Sequence, residues 1–224
     1  MLELLQKRIV ECELCPRLRA HCRAVAETKR RAYRDQEYWG RPVPSFGDPH
    51  ARLLIVGLAP GAHGANRTGR MFTGDASGDF LYSAMHATGW ASQPTSAHRG
   101  DGLSLIDCYI TAAGRCAPPD NKPRPDELQR CRPYLVEELR LLNRVQVIVA
   151  LGRIAFETCL TVFGAVKSRH VFKHDQQHEL GDGQPLLISS YHPSQQNTST
   201  GRLTQPMLRS VFRRAKKIVD TNNR

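Results

Sequence analysis

Four short apolar runs, each followed by a stretch of different periodicity, constrain this chain most. Arg52-Leu-Leu-Ile-Val-Gly is short, branched and bounded by turn residues, so it predicts a strand buried on both faces. Leu103–Ala112, Val145–Leu151 and Pro185–Ser190 repeat the pattern. Helical periodicity follows at Ser77–Gly89, Pro125–Asn143, Arg153–Phe163 and Gln205–Val219, the last with Leu208, Val211, Phe212, Ala215 and Ile218 on one stripe. Such alternation predicts an α/β fold: a three-layer sandwich around a central, mostly parallel four-stranded sheet. Ligands in these sheets bind outside the carboxyl ends of the strands, which directs attention to the loops after Val56, Ala112 and Ser190.

The flanking segments are read more coarsely. Residues 1–36 have helical spacing broken at Cys15-Pro16, residues 38–49 form a connector rich in breakers, and 169–183 is a hairpin-like insert. The 224 residues suit a single domain, 1–224, with a basic N-terminal helical segment (1–41) and an α/β core ending in a basic helix (42–224).

The net charge of +11 is carried by the two ends. Residues 16–41 hold eight bases against three acids, and 202–224 hold seven against one. Most are arginines, whose planar fork suits phosphate, so a polyanion partner is one reading and two solvated helical faces are the other. No stretch approaches 18 consecutive apolar residues and residues 1–20 are broken by charges, which predicts neither a membrane span nor an export signal. Seven cysteines, an odd number, argue against a disulfide framework and for a cytoplasmic location.

Three constellations carry chemistry. Cys12-Glu-Leu-Cys15 is a tight pair, and Cys116 and Cys131 flank a turn-rich stretch; four such thiolates suit an iron–sulfur cluster or a structural zinc. Cys22, Cys108 and Cys159 sit in apolar surroundings and read as small buried hydrophobes. The second constellation is the glycine-rich loop from Gly57 to Gly78, where backbone can approach a planar ligand or a phosphate. It lacks the endings of a P-loop and of a dinucleotide fingerprint. Asp75, just before the helix, is either an N-cap or a functional carboxylate. The third is Tyr191-His-Pro-Ser-Gln-Gln-Asn-Thr-Ser-Thr-Gly-Arg-Leu-Thr, a polar loop with a histidine and many small donors of the kind phosphate contacts use.

The loop Gly57–Gly78, the stretch Arg115-Cys-Ala-Pro-Pro-Asp-Asn-Lys and the segment from His192 to Thr204 together resemble the signature regions of type b (family 5) uracil-DNA glycosylases. The resemblance runs from Cys12 to the final helix. It implies the glycosylase fold, a 4Fe–4S cluster on Cys12, Cys15, Cys116 and Cys131 rather than zinc, and excision of uracil, with hypoxanthine and other deaminated bases, from double-stranded DNA. It implies further that Ala59 stands where other branches place a water-activating polar residue, and that Asp75 takes the acidic role. Phe72 matches the aromatic that stacks on a flipped base, Asn121 the amide that reads its edge, and His192 the group that contacts its carbonyl oxygen. Gly57 and Ala59 would lie against the base. We expect His63, Asn66, Arg67 and Arg70 from the first loop, and Ser194, Asn197 and Arg202 from the third, to hold phosphates. The expected protein is a bacterial or archaeal, nucleoid-associated monomer. The rival from another class is a non-catalytic DNA-binding protein stapled by a four-cysteine metal site; a zinc deaminase is excluded by the missing His-x-Glu and Pro-Cys-x-x-Cys signature.

Overall fold

A computed structural model describes residues 1–221. The apolar runs form strands β2 (Leu53–Gly57), β3 (Cys108–Ala112), β4 (Val147–Leu151) and β6 (Leu186–Ser190). All four are parallel, in the order β3-β2-β4-β6. The sheet nevertheless has six strands rather than four, and it is mixed. Short antiparallel strands β1 (Phe46–Gly47) and β5 (Gln176–His178) pair with β3 and β6 at its two edges. Both come from segments read as connector and insert, too short to show an apolar pattern. The run at 103–112 becomes strand only from Cys108, because Asp107 turns the backbone to φ 54°.

Alternate residues of each strand serve opposite faces. Leu53, Ile55, Ile110, Val147, Val149 and Ile188 pack beneath α4 (Ala76–His86) and α8 (Gln205–Thr221), whose Tyr82, Met85, Val211 and Phe212 join the same core. Leu54, Val56, Ile148, Ala150 and Leu187 pack against α5 (Pro125–Leu141) and α6 (Arg153–Val162) through Leu135, Phe156 and Leu160. Each fully buried Leu, Ile or Val contributes roughly 1.5–3 kcal/mol, so the sandwich follows from strands that are apolar on both sides.

The N-terminal segment forms α1 (Leu2–Val10) and α2 (Pro16–Thr28), broken where Cys15 is the N-cap and Pro16 the first helical residue of α2. Helix α1 is tied to α5 by Arg8–Glu137 and by Gln6 donating to Glu138. Helix α2 meets the loop after β3 through Leu18, Cys22, Cys116 and Ala117. The basic helix α8 is described to Thr221; Arg224, part of the basic C-terminal run, lies outside the described residues. Among the described residues no helix is long and apolar enough to cross a membrane.

Candidate active site

The loop after β2 is shaped by glycines. Phe72 adopts φ 51°, a left-handed conformation that bulky residues rarely take. It can do so because its ring lies on Gly57, where a Cβ would come within 2.8 Å of two ring carbons. Its carbonyl lies against Gly78, where a Cβ would come within 1.9 Å. The turn is also anchored by the buried Tyr82 hydroxyl, which donates to the Met71 carbonyl at 3.0 Å. Phe72 is thereby folded back over the end of β2.

Asp75 is an N-cap, one of the two readings the sequence offers, and its two carboxylate oxygens have different surroundings. As N-cap of α4, its Oδ1 accepts the Gly78 amide at 2.9 Å. Its Oδ2 lies against the backbone of Gly61 and Gly64, where a Cβ on Gly64 would sit 1.8 Å away. Burial raises the carboxyl pKa, and the Gly78 and Ser77 amides pull it back down.

His192 follows β6, and its ring faces Phe72 with centroids 5.8 Å apart and planes tilted by 33°. Gly152, at φ 94° after β4, leaves room for it, since a Cβ there would lie 3.2 Å from that of His192. Burial depresses the imidazole pKa to about 4, so the ring is neutral at physiological pH and can donate one hydrogen bond without carrying charge. The loop is fastened by Asn197 Nδ2, which donates to the His192 carbonyl at 2.8 Å, within a short helix α7 (Gln195–Ser199) begun by Ser194. The exposed Arg202 guanidinium lies over the Tyr191 ring at 4.7 Å. Beside His192 opens a cleft of about 300 Å³ lined by Leu58, Tyr191, Asn197 and Arg202 among others.

Gly57, Phe72 and His192 therefore converge, with Asp75 on the same loop. Ala59 lies near Gly114, whose built Cβ would be 3.4 Å from its own. Asn121 sits, exposed, on the turn Pro119–Asn121 after β3, at φ 56°. Three expected phosphate ligands are corrected. Asn66 is fully buried and donates to the Cys22 and Ala62 carbonyls. Arg67 spends its guanidinium on the His63 and Gly74 carbonyls and on Gln36, and stacks on Tyr33 at 3.9 Å. Arg70 is locked to Thr73, Ser96 and Asp101, the last at 2.7 Å. Their donors are consumed inside the protein. His63 remains near the surface, half-buried, with Nδ1 at 3.0 Å from the Tyr38 hydroxyl and a pKa lowered first by burial and then by Arg30 and Arg67. Sequence reasoning missed Gly152 and the spacing roles of Gly64 and Gly78. The signal for Gly152 was its place at the carboxyl end of β4, a loop not singled out beforehand.

Cys12, Cys15, Cys116 and Cys131 line one cavity, together with Arg19, Arg115, Arg130 and Tyr134. Burial raises the thiol pKa of Cys15, and that of Cys131 to about 11; a hydrogen bond with Cys22, followed by burial, raises that of Cys116. Arg130, Arg115 and Arg19 act in the opposite direction on Cys15, Cys131 and Cys116 respectively. The donor set is all sulfur, and among the described residues no three His, Cys, Asp or Glu side chains converge closely enough for a single ion. Cys108 and Cys159 are core residues, while Cys22 is buried beside Cys116, a fifth thiol at this corner.

The family model of the uracil DNA glycosylase superfamily matches residues 44–216. A type-5 uracil-DNA glycosylase of Thermus thermophilus is 54% identical over 216 residues, covering 96% of this chain and 97% of its own length. A type-5 uracil-DNA glycosylase of Pyrobaculum aerophilum is 45% identical, covering 93% and 89%. A type-4 uracil-DNA glycosylase of the same organism is 31% identical, covering 80% and 81%.

Proposed function

The chain belongs to the uracil DNA glycosylase superfamily, and from that premise we propose that it removes uracil from double-stranded DNA by hydrolysis, leaving an abasic site. Hypoxanthine and other deaminated bases are the further substrates of this reading, since Ala59 puts no polar side chain at the pocket mouth. The observation that carries it is the pairing of Phe72 and His192 over Gly57, with the Asp75 carboxylate on the same loop.

A base must leave the stack before its glycosidic bond can be cut. In this reading the flipped base lies against Phe72, and Asn121 swings in from its exposed turn to read the edge. The bond breaks with its electron pair on the base, and positive charge develops on the sugar. Neutral His192 donates to the base oxygen that becomes negative, a stabilisation that needs no proton transfer. Ionised Asp75 stabilises the sugar cation and orients the water that adds to it; the proton released passes to the carboxylate or to solvent. His63, Ser194, Asn197 and Arg202 remain as the phosphate-holding groups.

We read the four-cysteine cavity as the seat of a 4Fe–4S cluster rather than zinc, on the resemblance of these four positions to the cluster ligands of the family and on their lining one cavity. Such a cluster would supply a covalent clip between Cys12 and Cys15 of the N-terminal segment and the 116–131 stretch. Iron and sulfide analysis with a visible spectrum separates it from zinc. The protein is taken to act as a cytoplasmic, nucleoid-associated monomer.

The deciding experiment incubates the protein with uracil-containing duplex, followed by alkali and a denaturing gel. Strand breakage only after alkali supports the proposal. Salt-dependent binding with no abasic product supports the non-catalytic rival instead.

A further inference from the structure

The arginines of the N-terminal half fall into two groups. Those on α1 and α2 are paired within the protein: Arg8 with Glu137, Arg17 with Glu127, and Arg19 and Arg23 with Glu13. Arg30, Arg31, Arg34 and Arg41 differ. All four are exposed, and among the described residues none is in an ion pair; Arg99, from the loop after α4, shares both properties. Arg99 and Arg41 both flank Trp39, at 5.0 and 6.0 Å from its ring.

This ridge is fixed to the loop that carries Phe72 and Asp75. Trp39 and Gly40 donate their amides to the Arg67 and Asn66 carbonyls at 2.9 and 3.0 Å. Tyr33 lies under the Arg67 guanidinium, Gln36 accepts from it, and Tyr38 bonds His63. Gly69 abuts the Trp39 indole so closely that a Cβ would meet it at 2.8 Å. The Arg67 side chain, turned inward, together with the Asn66 and Arg67 backbone carbonyls, thus docks a segment that carries unpaired bases of its own.

We propose that Arg30, Arg31, Arg34, Arg41 and Arg99 form a second DNA-contacting surface, which holds the backbone of the duplex flanking the extruded nucleotide. The partner follows from charge and place: a duplex whose base enters the pocket carries one phosphate per about 1.7 Å of axis past its lip, and unpaired guanidiniums on a rigid mount neutralise such a rod without reading sequence. The inference rests on the proposed glycosylase reading for its partner, but its test does not require excision.

The test measures affinity for undamaged duplex of about 30 base pairs against salt concentration, for the full-length protein and for a variant carrying Arg30→Gln, Arg31→Gln, Arg34→Gln and Arg41→Gln. Arg99→Gln is measured separately and Arg8→Gln is the control, with circular dichroism showing that each is folded. We expect the slope of log affinity against log salt to shrink by about 2 to 4 in the quadruple variant and about 1 in Arg99→Gln, and to be unchanged in Arg8→Gln. A quadruple variant within about half a unit of wild type overturns the proposal, as does an equal loss in Arg8→Gln. Absence of excision by the wild-type protein would instead sink the glycosylase reading and leave this measurement standing.

Discussion

The loops 57–78 and 191–204 are both polar, both follow strands of the sheet and both are rich in the donors phosphate contacts use, yet they are opposite kinds of object. In the first, Asn66, Arg67 and Arg70 are sunk into the protein with their donors spent on nearby carbonyls and carboxylates. In the second, Asn197 and Arg202 line a cleft, held by one turn of helix that Ser194 begins and by one ring. The first loop is a frame that fixes Phe72 and Asp75; the second is a surface that begins beside one half-buried histidine. Abundance of arginine in a motif therefore does not say which way it faces.

Substitutions can break this contrast, the largest effect first. Arg70→Gln removes the charged partner of the Asp101 carboxylate and leaves it only backbone amides, so we expect a loss of up to about 3–5 kcal/mol in denaturant unfolding. An unchanged midpoint with weakened DNA binding would return Arg70 to the DNA face. Asp75→Ala and His192→Ala should each slow single-turnover excision at least about a hundredfold while the protein still folds. Near wild-type rates in both would dismiss the catalytic assignment.

Third comes the pH response of His192. Its folded pKa, about 4, lies below the ordinary value of 6.5, so between those values the unfolded chain binds the extra proton and stability falls as pH falls. From pH 7 to pH 5 wild type should lose about 2 kcal/mol more than His192→Ala in parallel unfolding curves. Equal losses would mean that the ring is not desolvated. Smallest is Arg202→Gln, which should leave the melting midpoint in place, weaken duplex affinity by a few fold and reduce the salt slope by about one. A stability loss as large as that of Arg70→Gln would erase the distinction between the loops.

What the sequence made legible follows the range of the forces involved. The four parallel strands and their covering helices show in local apolar pattern, because β2, β3 and β4 are buried along their whole length and β6 nearly so. Edge strands β1 and β5 do not, since two or three residues joined through backbone bonds carry no pattern. Asp75 is legible in sequence as a cap, but only the folded loop shows that the cap uses Oδ1 and leaves Oδ2 against Gly61 and Gly64. The inward turn of Arg67 and Arg70 was not legible, because the groups that take them inward include Gln36, Tyr33, Ser96 and Asp101, distant in sequence. The basic tail also misleads: Lys216 lies over Trp90, whose indole donates to Phe212, and Arg214 is spent on Asp175.

The left-handed Phe72 limits how this pocket can vary. A bulky side chain at φ 51° costs of order 1–3 kcal/mol, and it persists here between two positions that exclude a methyl group. Asparagine would suit that backbone better but would remove the ring; valine or isoleucine would suit neither backbone nor stacking. The three positions 57, 72 and 78 can therefore change only together, so a homologue that kept a different residue at one of them should show a rebuilt loop at all three.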